Sequence, residues 1–471
     1  MNKTKIIATI GPASCSRDVI RELIIHGMDV ARINLSHADY DFCMDIMNKI
    51  NELNEELGTH VAIMLDTKGP DVRVGKFIGG RAYLKAGDKI RIYANEIVGD
   101  NTKFSVSYPG IVHDLKYHSI IKLDDGMITL TVVDKGVDYL ICEVMNDGVI
   151  EDHKSLNVPG VKFNLPFLSN KDRDDIRFAT KMGVDFLALS FVHSSDDVLE
   201  VNDMLIELGN DHLGIIAKIE TESAVNEIDD ILRVSDGVMI ARGDLGVELP
   251  LERVPGIQKS IIHKCHIAGK VSMVATEFLS SMESGTRPTR AEVSDVANAV
   301  MDGTDAVMLS GETTIGAYPI ETLSMMAKII ESAEEDINYL EMMDMAMRTE
   351  KQDTTGALAY SVAECASRLK CKAIVAPTIS GYTARKMSRF RPCCPIVAIS
   401  PNIETVKSLA LHFGVVPVLI DELNTFDRIM KKSVSVTKKL LDVDAGDRII
   451  ITGGYPFKEV KHTNFMKIEE L

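Results

Sequence analysis

No apolar run in the 471 residues approaches the roughly 18 that a bilayer-spanning helix needs. No Cys-x-x-Cys pair occurs. The eight cysteines, Cys15, Cys43, Cys142, Cys265, Cys365, Cys371, Cys393 and Cys394, are scattered. The vicinal pair Cys393-Cys394 cannot easily close an unstrained disulfide, and nothing nearby completes a zinc site. Free thiols in a reducing compartment are the expectation. Positive charge is also short. The net charge is −17, which makes nucleic acid and anionic membrane surfaces poor partners. There is no G-x-x-x-x-G-K-[ST], no G-x-G-x-x-G, no H-E-x-x-H and no G-x-S-x-G. These absences argue against a P-loop nucleotidase, a dinucleotide enzyme, a zincin and an α/β-hydrolase. The first residues, Met1-Asn-Lys-Thr-Lys-Ile-Ile7, enter a strand-like run with no h-region or cleavage site, so no signal peptide is expected. Low-complexity tracts are missing too. What remains is a soluble cytoplasmic protein of two to four domains, at roughly 100–200 residues each.

What is present is a repeat. Apolar runs at Thr4–Gly11, Val30–Ser36, Val61–Gly69, Asp185–Val192, Leu213–Glu220, Gly237–Asp244, Val271–Phe278 and Asp305–Gly311 alternate with segments of helical period. In Thr221–Ser235, Ala224, Val225, Ile228, Ile231 and Leu232 share one helix face. Eight such units predict a parallel (β/α)8 barrel spanning residues 1–70 and 167–340. The repeat breaks between 71 and 166, where frequent glycines separate short strands such as Lys89–Tyr93, Ile128–Val133 and Tyr139–Val144. This reads as a small all-β domain inserted after the third barrel strand, placed to act as a lid. Residues 341–471 read as a separate open α/β domain, with strands at Ala373–Pro377, Ile396–Ser400, Val415–Ile420 and Arg448–Thr452. That last part carries a surplus of basic over acidic residues, so the acidity lies in the first two thirds.

The strand ends are polar, and in a barrel they converge on one mouth. They read Arg32-Ile-Asn-Leu-Ser-His37, Asp66-Thr-Lys68, Lys218-Ile-Glu220, Arg242-Gly-Asp244, Thr276-Glu277 and Ser310-Gly-Glu312. Helix caps and loop polarity account for Ser310 or Thr276. They account poorly for Lys218 with Glu220, whose spacing of two puts both on one strand face. Glu220 and Asp244 suit a hard divalent cation. They suit ion pairs to Lys218 or Arg242 equally well. Arg32, Lys218 and Arg242 bring cationic charge to the same mouth. Together these groups fit a phosphorylated substrate and transfer chemistry run by electrostatics.

These residues carry a resemblance. Thr4-Lys-Ile-Ile-Ala-Thr-Ile-Gly-Pro-Ala-Ser14, Gly27-Met-Asp-Val-Ala-Arg-Ile-Asn-Leu-Ser-His37, Leu65-Asp-Thr-Lys-Gly-Pro-Asp-Val-Arg73, Lys218-Ile-Glu220, Ala241-Arg-Gly-Asp-Leu-Gly246, Pro288-Thr-Arg-Ala-Glu-Val-Ser-Asp-Val-Ala-Asn298 and Asp305-Ala-Val-Met-Leu-Ser-Gly-Glu-Thr313 stand in order at the strand ends. The whole chain resembles the pyruvate kinase family. The resemblance implies phosphoryl transfer from phosphoenolpyruvate to ADP. It matches Glu220 and Asp244 to the Mg²⁺ (or Mn²⁺) ligands. It matches Lys218 to the lysine facing the transferring group, Arg32 to a substrate-phosphate contact, and Gly243 and Asp244 to the substrate carboxylate. Thr276 matches a residue that protonates the enolate through water. Asn34, Ser36, Asp66 and Thr67 match a K⁺ site. Arg73, His37 and Asn34 match the nucleotide side. A homotetramer is implied, as is a sugar-phosphate or nucleotide effector at Thr378, Ser380, Gly381, Tyr382 and Thr383. A plain helix cap is the competing reading of that loop. Departures from the family pattern occur at Ala38, His193, Thr221, Glu277, Phe278 and Ser280, and in the loop Gly453–Thr463. Another phosphoenolpyruvate-handling barrel enzyme and a non-catalytic metabolite sensor are the alternative functions.

Overall fold

The structure, a computed structural model, describes residues 1–36, 38–210, 212–349, 353–421, 425–456 and 462–471. Eight parallel strands close into a barrel: β1 (Lys5–Thr9), β2 (Val30–Asn34), β3 (Ala62–Asp66), β4 (Phe186–Leu189), β5 (Gly214–Ile219), β6 (Gly237–Ala241), β7 (Val271–Ala275) and β8 (Ala306–Leu309). Each sits inside one of the eight apolar runs, because a strand covered on both faces needs apolar residues throughout. Closure joins β8 to β1, with Lys5 opposite Ala306 and Ala8 opposite Leu309.

Alternate side chains point in and out. Ile6, Ala31, Ile33, Ile63, Leu65, Leu187 and Leu189 pack outward against the helices. Ile7, Val30, Ala62, Met64, Phe186, Ala188, Ile216, Met239, Met273 and Met308 fill the interior. Several of these inner residues begin their strands, so they form the barrel floor. Ala410 and Leu411, from the C-terminal part of the chain, join that same cluster. The floor is therefore completed by another domain.

Between β3 and β4 the chain builds a six-stranded and a two-stranded sheet around their own core. Ile128, Leu130 and Val132 are buried at every second position of one strand, the expected period. A short α-helix, Ile111–Asp114, and a 3-10 turn, Ile78–Gly80, interrupt the otherwise β character. The C-terminal sheet has five strands: β9 (Ala373–Pro377), β10 (Ile396–Ser400), β11 (Val415–Leu419), β12 (Arg448–Gly453) and β13 (Phe465–Glu470). Their order is β11-β10-β9-β12-β13, and only β13 runs antiparallel. Two expectations change in detail. The helix expected over Thr221–Ser235 is two, Glu222–Asn226 and Ile228–Val234. The strand β13 was not foreseen. Among the described residues no helix is long and apolar enough to cross a membrane.

The C-terminal domain is clamped to the barrel floor. Arg391 Nη1 donates to Asp305 Oδ1 at 2.6 Å, Nη2 donates to Gly303 O at 3.0 Å, and the guanidinium lies 4.4 Å from the Phe413 ring centre. Two part-buried histidines flank this clamp. Burial, then Arg385 and Arg391, push His412 down to about 3, against the pull of Asp305. Burial and then Arg391 push His266 down to about 4. Both are neutral in the fold, and their unfolded values lie near 6.5. Below that pH the unfolded chain takes up protons that the fold refuses, so stability present above pH 6.5 is lost as pH falls. His412 alone removes about 2 kcal/mol between pH 6.5 and 5. Urea midpoints measured at pH 7 and pH 5 check this: His412→Gln should lose less stability than the parent over that interval. Equal losses would refute it.

Candidate active site

The mouth of the barrel is built where each apolar strand ends and the first polar residue appears. Arg32, the third residue of β2, is buried. Its Nε and Nη2 grip Asp66 Oδ1 and Oδ2 at 2.9 and 2.5 Å, and its Nη1 donates to Thr9 Oγ1 at 3.0 Å. Asp66 ends β3 directly opposite Asn34. Burial alone would raise the Asp66 carboxyl, but Arg32 and Lys218 outweigh it and hold it below its usual range. Lys218, on β5, sends Nζ to Ser190 Oγ at 2.9 Å. It also stands 2.8 Å from Glu220 Oε1 and 3.4 Å from Asp66 Oδ2. Burial disfavours its charge, yet Glu220 and Asp66 prevail and push the ammonium up to about 12. It stays charged at every physiological pH.

Glu220 is 1% exposed. Its Oε2 accepts the Phe191 amide at 2.5 Å. Its Oε1 stands in a 2.8 Å ion pair with the Lys218 ammonium, outside hydrogen-bond geometry. Asp244 is on the short helix Arg242–Glu248 that follows β6. Burial and then the neighbouring Glu220 push its carboxyl up to about 7. Two crowded carboxylates are a donor set for a hard divalent cation, which would relieve their repulsion. Among the described residues no group of three or more His, Cys, Asp or Glu side chains gathers to hold a metal. The protein would thus supply part of the coordination shell and leave room for substrate oxygens.

Arg242 departs from expectation. It turns away from the mouth, with Nη1 on both Asp295 oxygens at 2.8 and 2.7 Å and Nη2 on Thr276 O at 2.6 Å. Its guanidinium stacks 4.2 Å from the Phe278 ring centre. Its charge is spent on Asp295, which lies 53 residues away in sequence, so Arg242 braces Thr276 instead of facing substrate. Thr276 and Glu277 hold left-handed backbone, at φ +70° and +57°, and Phe191 does so at +56°. Such strain at three non-glycine residues around one mouth marks a site fixed by its surroundings. The Gly243 amide, expected at a substrate carboxylate, donates to Thr276 Oγ1 at 2.9 Å, while that hydroxyl donates to Ala275 O at 2.6 Å.

The remaining expected residues are placed as follows. Asn34 Oδ1 accepts the Ser36 amide at 3.0 Å, and Thr67 Oγ1 accepts the Ser190 amide at 3.2 Å. The ends of β2 and β3 thus bring Asn34, Ser36, Asp66 and Thr67 together, rich in neutral oxygen. Asp66 divides its carboxylate between Arg32 and Lys218 and contributes mainly charge balance. Arg73, at the root of the inserted domain, pairs with Asp71 at 2.5 Å and with His153 O at 2.9 Å. His37 lies outside the described residues. The inserted domain touches the far rim: Lys122 Nζ donates to Val247 O at 2.5 Å, and the Gly160 amide to Glu248 Oε2 at 3.3 Å. Both acceptors belong to the helix that carries Asp244.

In the C-terminal domain the helix Tyr382–Arg389 starts from Gly381, at φ +76°. Thr378 donates its amide to Ile399 O, Ser380 O accepts from Arg385 Nη2 at 2.7 Å, and the Thr383 and Thr463 hydroxyls pair at 3.0 Å. Tyr382 lies under the Lys386 ammonium. Much of this cradle is internally satisfied. Residues 457–461 of the facing loop lie outside the described residues.

One polar residue was missed. Ser190 follows β4 immediately, and its hydroxyl donates to Thr67 O at 2.8 Å. The rule that exposed the other strand ends finds it too, once applied to Phe186-Leu-Ala-Leu-Ser190.

Comparison with known proteins agrees with this geometry. The family profile "Pyruvate kinase, barrel domain" matches residues 1–323, and "Pyruvate kinase, alpha/beta domain" matches 356–469. The chain is 44% identical to a pyruvate kinase of Clostridium perfringens over 475 aligned residues, covering all of both chains. It is 44% identical to one of Geobacillus stearothermophilus, covering 99% of this chain and 80% of that one. A crystal structure of a pyruvate kinase from Cryptosporidium parvum superposes with a TM-score of 0.94 at 36% identity, covering 100% of this chain and 96% of the other. Strands, site and full-length similarity converge: the chain belongs to the pyruvate kinase family, the phosphotransferases that move the phosphoryl group of phosphoenolpyruvate to ADP.

Proposed function

We propose that the barrel mouth of this chain performs the family's reaction with Lys218, Arg32 and Thr276 as its working side chains. The observation that carries the reading is the buried Glu220 carboxylate, crowded by Asp244 and 2.8 Å from a permanently charged Lys218. Arg32 and Lys218 bind the phosphoryl group being transferred. Lys218 stays close as charge develops on the enolate oxygen, where a fixed ammonium in a water-poor site acts strongly. Glu220 and Asp244 would hold Mg²⁺ (or Mn²⁺), and Asn34, Ser36, Asp66 and Thr67 would surround K⁺. These cations, when bound, supply positive charge between phosphate groups that otherwise repel. The Thr276 proton lies on Ala275 O, so Thr276 orients a water that delivers the proton to the enolate carbon. Arg73, His37 and Asn34 take the nucleotide side. The start of the Arg242–Glu248 helix receives the substrate carboxylate, with the Gly243 amide first released by Thr276.

Three units divide the work. Residues 1–70 and 167–340 form the catalytic barrel, residues 71–166 form a lid that excludes water, and residues 341–471 serve regulation and assembly. The assembly is a cytoplasmic homotetramer, as the family resemblance implies. Thr378, Ser380, Gly381, Tyr382 and Thr383 form the effector loop for a sugar phosphate or nucleotide. A coupled assay of pyruvate formation tests the whole reading. Turnover should require ADP and a divalent cation and rise with K⁺, and a panel of sugar phosphates reports the effector. Pyruvate formation that does not depend on ADP would overturn it.

A further inference from the structure

Four of the eight cysteines gather in the C-terminal domain. Cys365 lies near the end of the helix Thr354–Arg368, Cys371 comes just before β9, and Cys393-Cys394 come just before β10. Cys371 and Cys394 are buried in one apolar cluster, and Cys365 packs against it. Strand register brings the two segments together. Ile374 pairs with Ile396, and the Ile374 amide donates to Pro395 O at 3.0 Å, so the pairing reaches back ahead of β10. Carried back three residues, the same register sets Cys371 opposite Cys393. Neighbouring strands lie about 4.8 Å apart, a Cα separation that a disulfide spans. The vicinal pair Cys393-Cys394 has no such unstrained geometry.

All four are free thiols in the fold, and they are not equivalent. Cys393 is part-exposed. The Cys394 thiol and the Ser367 hydroxyl donate to its sulfur, and the Lys3 ammonium adds positive charge nearby. Together they outweigh burial and hold Cys393 below the usual thiol range, while Cys394 is pushed up. Burial and then the charge at Cys393 push Cys371 up as well, so it keeps its proton. A part-exposed thiolate beside a protonated, buried thiol is the arrangement of a reactive cysteine and its resolving partner. The four do not converge on one point: among the described residues no group of three or more His, Cys, Asp or Glu side chains could hold a metal.

We propose that Cys393 is an oxidation site for hydroperoxides and that Cys371 resolves it as a disulfide. The Cys393 thiolate attacks the terminal peroxide oxygen and the O–O bond breaks. The other oxygen leaves as hydroxide or alkoxide and takes a proton from water. The sulfur has lost two electrons and is now a sulfenic acid. Its negative charge is gone, so one of the two causes that kept Cys371 protonated is removed. Cys371 gives up its proton, its sulfur attacks the sulfenic sulfur, and water leaves as the S–S bond forms. The crosslink ties the segment that begins at Arg391 to the end of the helix Thr354–Arg368, beside the clamp on the barrel floor.

The experiment treats the full-length, reduced protein with a slight excess of hydrogen peroxide at pH 7 and maps thiols and crosslinks by mass spectrometry of chymotryptic peptides, with and without reductant. The parent should yield a reducible link between the peptides that carry Cys371 and Cys393-Cys394. Cys394→Ser should keep the link, and Cys393→Ser should abolish it. Cys371→Ser should leave a sulfenic acid at Cys393 that dimedone traps. In the untreated parent, iodoacetamide should label Cys393 at least tenfold faster than Cys365, which is also part-exposed. Thermal melts show that each variant is folded, and the link in the parent needs no variant at all. Absence of the link in the peroxide-treated parent would overturn the proposal. So would its persistence in Cys393→Ser, or a link that joins Cys365 to Cys371 instead.

Discussion

Lys218→Met should lower kcat by about two to five orders of magnitude while the protein remains folded. The size follows from where the charge sits. The ammonium is buried, pushed up to about 12, and contacts Ser190, Glu220 and Asp66 at once. A fixed cation in such a place acts on charge that develops during the reaction, without the reorganisation that water would need. Methionine keeps the length and packing of the stem and removes only the charge. The fold should survive, because Asp66 keeps its two-pronged bond to Arg32 and Glu220 keeps the Phe191 amide. Steady-state turnover and a thermal melt of the same sample check both halves. Near-parental turnover would remove Lys218 from the mechanism.

Arg391→Met should destabilise the protein by about 3–5 kcal/mol, with kcat of the folded fraction nearly unchanged. Here the effect is structural and lies at the opposite end of the barrel. Arg391 is 3% exposed and bonds both Asp305 and the Gly303 carbonyl. Burial would raise the Asp305 carboxyl, yet Arg391 outweighs burial and holds it below its usual range. Removing the guanidinium leaves a buried carboxylate with, among the described residues, the Ser272 groups and the Phe413 amide as its donors. Denaturant titration reads the loss. Adding Asp305→Asn should restore part of it, because the uncompensated charge is then gone. A midpoint shift below about 1 kcal/mol would mean the clamp carries little of the interface.

The barrel was legible because its signal is local. A strand buried on both faces shows itself as a continuous apolar run, and all eight strands fall inside such runs. The strand ends were legible for the same reason, since polarity following an apolar run needs no partner to be seen. What depended on distant partners was not legible. Arg242 reads as a mouth residue until Asp295 and Phe278 fold beside it and take its charge. The strand β13 (Phe-Met-Lys-Ile-Glu-Glu) shows no strand-like burial, because it lies at the sheet edge and pairs only with β12. The break at Glu227 between the two helices of 222–234 left no mark in the apolar face, which continues across it. Ser190 is a single serine whose meaning comes from Thr67 on one side and Lys218 on the other.

Ala410 and Leu411 close the barrel floor, and this sets an order of events during synthesis. A ribosome releases β1 first, yet β1 pairs with β8 some 300 residues later, and the floor stays open until residue 411 has emerged. For that interval Met64, Phe186, Met239 and Met308 have walls but no base. The nascent chain must hold this apolar opening shielded while most of the C-terminal domain is still being made, which exposes it to aggregation and to chaperones. A gene shortened at the end of the last barrel helix would make that transient condition permanent. The barrel therefore depends on the C-terminal part of the chain to cover its own apolar floor.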